Sequence, residues 1–255
     1  MSEPNRLTVT AAVLLIGDEL LSGRTRDANL QAIAQFLALS GVQIREARVV
    51  SDDHGAIGEA LNALRLRHDY VFTTGGIGPT HDDITADAVA QAFGLALYEH
   101  PDALAILEAR YAAAGTPFTP ARRRMARMPQ GATLIDNPAT GAPGFQIDNV
   151  FVLAGVPGIM RAMLEGLSGR IRSGAPVHTV TVRAQGLREG DLAGELGRIA
   201  ERATDVSLGS YPWFHGVDDY GVALVARSHD PNQIDAMTAR LSELVRAQGG
   251  TPIIQ

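Results

Sequence analysis

Tyr70-Val71-Phe72-Thr73-Thr74 is a short apolar, β-branched run that empties directly into Gly75-Gly76-Ile77-Gly78-Pro79-Thr80-His81-Asp82-Asp83-Ile84-Thr85. Read physically, this is a buried strand, a glycine turn and a helix predicted to begin near Asp82. Glycine tolerates the left-handed backbone that lets successive N–H groups converge on one anion, and a following helix adds positive potential at its amino end. Thr74, Gly75, Gly76 and Gly78 are therefore candidate phosphate contacts. Asp82 and Asp83 have two readings: a helix cap with a dipole partner, or ligands of a divalent ion beside a phosphate pocket. Thr80 either donates its hydroxyl to a phosphate or joins the cap.

The elements around this turn alternate. Val9 to Ile16 is an apolar run of strand length, and Leu30, Ile33, Ala34 and Leu37 repeat at helical spacing until Gly41. Gln43 to Val50 reads as a second strand, Ser51-Asp52-Asp53 as a cap, and Ile57, Ala60, Leu61 and Leu64 as the stripe of a second helix. Strand and helix alternation of this kind predicts a three-layer α/β fold, a mostly parallel sheet with helices on both faces. Ligands of such sheets bind at the carboxyl ends of the strands, where the glycine turn falls. Helices are predicted over 101–114 and 120–128, the second carrying Arg122, Arg123, Arg124 and Arg127, which either hold phosphate or form a solvated face. Residues 144–147 and 149–153 read as a hairpin pair and 157–167 as a closing helix. The Gly- and Pro-bearing linker 168–176 divides the chain into domains at 1–170 and 176–255, the second a small α+β unit.

Bulk properties narrow the function. With 45% hydrophobic residues among 255, a substantial core is available. The 22 basic and 28 acidic residues give −6, so no nucleic-acid or membrane partner is expected. Cysteine is absent, which removes thiolate catalysis and cysteine-ligated zinc and fits a reducing compartment. Met1 to Arg6 is short and polar and no apolar run approaches bilayer length, so a soluble cytoplasmic protein is expected.

Two further acidic clusters lie just after the first two strands. Gly17-Asp18-Glu19-Leu20-Leu21-Ser22-Gly23 ends strand one, and Asp52 ends strand two. Asp18 and Glu19 can hold Mg²⁺ through oxygen ligands while Ser22 and the Gly23 N–H touch a phosphate; the same residues are also ordinary turn formers. In a parallel sheet all three clusters converge, and gathered like charges raise one another's pKa unless a cation neutralises them.

These motifs, in this order, resemble the molybdopterin-binding domain family of MoaB and MogA, the amino-terminal region of CinA and the front domain of FAD synthase. The resemblance extends to Asn137-Pro138-Ala139-Thr140-Gly141-Ala142-Pro143-Gly144, which is similar to an Asn, Gly, Ala-Pro-Gly ligand loop, and to Gly155-Val156-Pro157-Gly158. It implies ligand contacts at Gly17, Asn137, Gly141, Pro143, Gly144, Pro157 and Gly158, and an acidic catalytic pair at Asp52 and Asp83. It further implies a divalent metal such as Mg²⁺, a phosphate-bearing nucleotide or pterin as partner, and a homo-oligomer. The expected activity is hydrolysis of nucleotide diphosphates such as ADP-ribose or FAD. The alternatives are molybdopterin binding or adenylylation, and a non-catalytic sensor. Gly209-Ser210-Tyr211-Pro212 is similar to the tail of CinA amino-terminal regions, and the adjoining Trp213 and Phe214 are expected either to stack on a base or pterin or to serve interdomain packing.

Overall fold

A computed structural model describes residues 8–217 and 219–255. The chain forms two compact units, Met1–Ala175 and Pro176–Gln255. The first contains β1 (Val9–Ile16), α1 (Asp18–Leu21), α2 (Asn29–Leu39), β2 (Val42–Val50), α3 (His54–Arg65), β3 (Tyr70–Thr74), α4 (Thr85–Phe93), β4 (Leu97–Glu99), α5 (Pro101–Ala113) and α6 (Pro120–Arg123). It continues with β5 (Arg127–Pro129), β6 (Thr133–Ile135), β7 (Gly144–Ile147), β8 (Val150–Leu153) and α7 (Pro157–Glu165).

The main sheet has the order β2-β1-β3-β8-β7-β6. The first four strands are parallel, and β7 and β6 run antiparallel as an appended edge. Strand β1 is buried on both faces, as the middle of a parallel sheet requires. Leu14 and Ile16 pack with Ile57, Leu61, Leu64 and Val89 beneath α3 and α4. Val13 and Leu15 pack with Ile33, Leu37, Met160 and Met163 beneath α2 and α7. Phe72 stacks on Phe151 with ring centroids 4.9 Å apart, locking β3 to β8. This is the mostly parallel sheet, layered by helices on both faces, that the alternating pattern implies.

Three local expectations change. The helix after the glycine turn starts at Thr85, three residues later than Asp82. Thr85 supplies the reason: its N–H donates to Gly76 O at 3.0 Å and its hydroxyl to Gly75 O at 2.9 Å, so the chain cannot wind before it. The predicted 120–128 helix stops at Arg123, passes through a 3₁₀ turn over Arg124–Ala126 and extends into β5 against β4. Asn149 precedes β8 as a hairpin corner, its amide donating to Arg65 O and His68 O.

The second unit is an antiparallel sheet of β9 (His178–Gln185), β10 (Ser207–Gly216), β11 (Asp219–Ser228) and β12 (Pro252–Ile254), in the order β10-β11-β9-β12. Helices α8 (Glu189–Arg202) and α9 (Pro231–Ala247) bury Leu192, Ile199, Met237, Leu241 and Val245 with that sheet. Trp213 on β10 takes the Arg183 guanidinium 4.2 Å above its ring. No described helix is long and apolar enough to cross a membrane.

Candidate functional site

The ends of β1, β2 and β3 lie side by side, because β1 pairs with both neighbours in parallel register. The loops leaving these three strands therefore open onto one cleft of about 600 Å³. Its floor is main chain. Gly75 and Gly76 adopt φ of 105° and 66°, and a Cβ on Gly75 would stand 2.2 Å from Ile16 O while one on Gly76 would stand 2.3 Å from the Thr85 hydroxyl. Only glycine fits this crossing. The Gly75 N–H is taken by Leu153 O at 3.2 Å. The N–H groups of Gly76, Ile77 and Gly78 have no hydrogen-bond partner among the described residues, and all three residues line the cleft.

Four carboxylates border this floor: Glu19, Asp52, Asp82 and Asp83. Asp53, next to Asp52, caps α3 by accepting Ala56 N–H at 2.9 Å, which leaves Asp52 to turn inward and accept the Asp18 N–H at 3.0 Å. Burial pushes the Asp52 carboxyl above the ordinary range, and the charges of Asp18, Glu19 and Asp82 push it further. The Thr80 N–H and hydroxyl both donate to Asp83 Oδ2, at 2.7 and 2.5 Å, fixing that carboxylate against Gly78. His81 projects into solvent, with its side chain 97% exposed.

Of the residues singled out from the sequence, the cleft gathers Gly17, Glu19, Asp52, Gly75, Gly76, Gly78, Asp82, Asp83, Asn137 and Pro157. Others serve the site from behind. Thr74 is buried, its hydroxyl accepting from Asn29 Nδ2 at 3.3 Å, and the same amide reaches Gly155 O at 2.7 Å. Asn29 thereby ties β3 to the turn after β8. Asp18 contributes its N–H to Asp52.

Several expected ligand contacts do different work. The Ser22 hydroxyl donates to Glu19 O and the Gly23 N–H to Leu20 O at 3.1 Å, so both close α1 instead of facing the cleft. Thr80 anchors Asp83. Asn137 is 2% exposed and spends its amide hydrogens within its own loop, on Thr140 Oγ1 and Ala142 O, each at 2.7 Å. Gly141 closes that loop by donating to Asn137 O at 2.8 Å. Gly144 is a packing glycine, since a Cβ there would meet Val152 O at 2.3 Å. Pro143 faces a small recess beside the turn. Gly158 lies in the first turn of α7 with open space around it.

Sequence reading missed the apolar wall, to which Tyr111, Met125, Val156 and Ile159 contribute. These come from α5, the 3₁₀ turn, the residue before α7 and α7 itself, and nothing in their local pattern distinguishes them from core or surface residues.

The architecture is an α/β domain with a glycine-floored cleft at the carboxyl ends of its parallel strands. Residues 12–173 match the family model described as probable molybdopterin binding domain, and residues 176–251 match that of the FAD synthase middle domain. The chain belongs to the family of probable molybdopterin-binding domains, and it is CinA-like within that family. A protein of Pyrobaculum calidifontis is 34% identical over 255 residues, covering 94% of this chain and 97% of the relative. A CinA-like protein of Citrifermentans bemidjiense is 41% identical over 207 residues, 77% of this chain and 49% of the relative, so the chain spans about half the length of that CinA-like protein. The crystal structure of the protein CinA, of unknown function, from Thermoplasma acidophilum matches with a TM-score of 0.59 at 36% identity, covering 64% of this chain and 98% of that one.

Proposed function

We propose that the cleft binds a diphosphate-bearing small molecule and hydrolyses its pyrophosphate bond with a divalent cation, ADP-ribose and FAD-type dinucleotides being the substrate class. One observation carries this reading: Gly76, Ile77 and Gly78, whose N–H groups have no partner among the described residues, line a cleft bordered by four carboxylates. The amides favour an anion, whereas the carboxylates repel one at about 1 kcal/mol or more per close pair. Both features are compatible when a cation sits between them.

The donor set is all oxygen, which suits a hard ion such as Mg²⁺. Among the described residues no group of three Asp, Glu or His side chains stands close enough to cage one. That fits an ion held by one or two carboxylates together with substrate phosphates and water, the usual Mg²⁺ arrangement in phosphoryl chemistry. Asp82 and Asp83, with Glu19 and Asp18 nearby, are its proposed holders. When bound, such an ion neutralises the diphosphate and the charge that develops on it.

Asp52 is the proposed base, because a carboxyl raised above its ordinary range is a better proton acceptor near neutrality. It takes the proton of a water whose oxygen bonds to phosphorus as the bridging P–O bond breaks. For ADP-ribose the products are AMP and ribose 5-phosphate. The backbone cradle orients the phosphorus under attack, and neither cysteine nor serine nucleophile is needed.

The family match supports the binding part of a second reading, molybdopterin held, or adenylylated, in the same cleft. Incubating the protein and Mg²⁺ with ADP-ribose, with FAD, or with ATP plus molybdopterin separates them. AMP release from a dinucleotide supports hydrolysis. An adenylylated pterin supports the second reading and overturns the first, whereas stabilisation by every ligand without turnover overturns the first and leaves a sensor.

A further inference from the structure

We infer that Arg124 is the side-chain cation that grips the diphosphate at the Gly76–Gly78 turn, an assignment that rests on the diphosphate reading above. The chain has no lysine; all 22 of its basic side chains are arginine. Four of them crowd residues 122–127, and three are committed elsewhere. The Arg122 guanidinium sits 4.5 Å from the Tyr111 ring centroid and donates to Pro117 O. Arg123 forks onto Glu99 at 2.7 and 2.6 Å. Arg127 pairs with Asp87 at 2.7 Å.

Arg124 is half-buried, yet its side chain makes no hydrogen bond or ion pair among the described residues. It borders a recess of about 20 Å³, space for one small polar group, together with Gly76, Gly78, Asp83 and Arg127. Asp87 neutralises Arg127, and Thr80 occupies one oxygen of Asp83. Of the two arginines that border the recess, Arg124 is therefore the one with no carboxylate bonded to it. A partly desolvated guanidinium with idle donors is unfavourable until an acceptor arrives. Its planar fork matches two phosphate oxygens, which a single main-chain N–H cannot do. Arg124 and the free amides thus converge on the same anion from side chain and main chain.

The break in the predicted 120–128 helix produces this division. Because the chain leaves helical geometry at Arg124 and enters β5, Arg123 and Arg127 reach Glu99 and Asp87 while Arg124 is left at the recess.

The test is calorimetric titration of inorganic pyrophosphate with Mg²⁺ into the full chain, its Arg124→Ala and Arg124→Lys variants, and Arg122→Ala as a control. Arg124→Ala is expected to weaken binding on the order of tenfold or more, because a charge-assisted bidentate contact is lost. Arg124→Lys should recover part of the affinity, as a point charge without the fork, and Arg122→Ala should stay within about twofold of the parent. Parent-like affinity in Arg124→Ala, with the parent binding pyrophosphate, overturns the role of Arg124 and leaves the diphosphate reading intact. A parent that fails to bind pyrophosphate overturns both. Should Arg124→Ala melt early, Arg124→Lys decides: affinity unchanged together with a parent-like melting temperature means a non-specific charge and rejects the forked contact.

Discussion

Asp52 Oδ2 accepts the main-chain N–H of Asp18 at 3.0 Å, so the end of the second strand is fastened to the end of the first at the point where the acidic residues meet. The bond is favourable to the charged form of Asp52, but burial and three neighbouring carboxylates outweigh it and the carboxyl is raised. A group whose folded-state pKa exceeds its unfolded value costs stability as pH rises from the ordinary carboxylate value, about 4, through the raised one. Asp52→Asn keeps an oxygen for the Asp18 N–H and removes the charge. Its melting temperature should exceed the parent's by about 2 °C at pH 7, the scale of a fraction of a kcal/mol in a domain of this size. The difference should vanish below about pH 4, where the parent carboxylate is protonated in both states. Hydrolysis should be lost at the same time. A variant less stable at pH 7 would mean that Asp52 is stabilised as an anion.

Divalent cation and diphosphate should bind together. Thermal-shift titration with ADP-ribose should raise the melting temperature in the presence of Mg²⁺ and leave it unchanged in excess EDTA, because four carboxylates oppose the naked anion. Equal shifts in both buffers would show that the free amides and arginine suffice.

Thr80 holds Asp83 through two hydrogen bonds. Thr80→Val preserves shape and removes the hydroxyl, so one bond to a charged group worth about 1.5–3 kcal/mol in a protected setting is lost, and less at this exposed position. Turnover should fall about tenfold, with Thr80→Ser close to the parent. Matching rates in the valine and serine variants would free Asp83 of any dependence on Thr80.

Two glycines should respond in opposite ways. Gly75→Ala forces a side chain to 2.2 Å from Ile16 O at a φ of 105°, and should destabilise by about 2–4 kcal/mol through strain and displacement of the turn. Gly158→Ala sits in open space inside a helix and should stabilise by about 0.5–1 kcal/mol with activity retained. Urea unfolding of the two variants checks both signs. A loss of activity in Gly158→Ala would return that residue to the ligand set.

The strand and helix layers were readable because their signals are local: the buried runs of β1 and β3, and the helical stripe of Ile57, Ala60, Leu61 and Leu64. Convergence of the Asp18, Asp52 and Asp83 regions was also readable, since parallel pairing brings strand ends together whatever the sequence between them. Side-chain assignments within a loop were less so. Whether Asn137 offers its amide to a ligand or to Ala142 depends on how a tight loop closes, and the residue type is the same in both cases. Ser22 is similar: its hydroxyl finds the Glu19 carbonyl only because a single helical turn forms over Asp18–Leu21. The commitments of Arg123 and Arg127 were invisible for the same reason, because Glu99 and Asp87 come from elements distant in sequence.

The cleft floor consists of main chain wedged between Ile16 and Thr85, so substitutions there act on folding before they act on ligand choice. Anyone wishing to retarget the pocket to a different base or ring would randomise the rim, Tyr111, Met125, Val156 and Ile159, and leave the glycines untouched. A library built that way varies the shape of the guest while the grip on its phosphates stays constant.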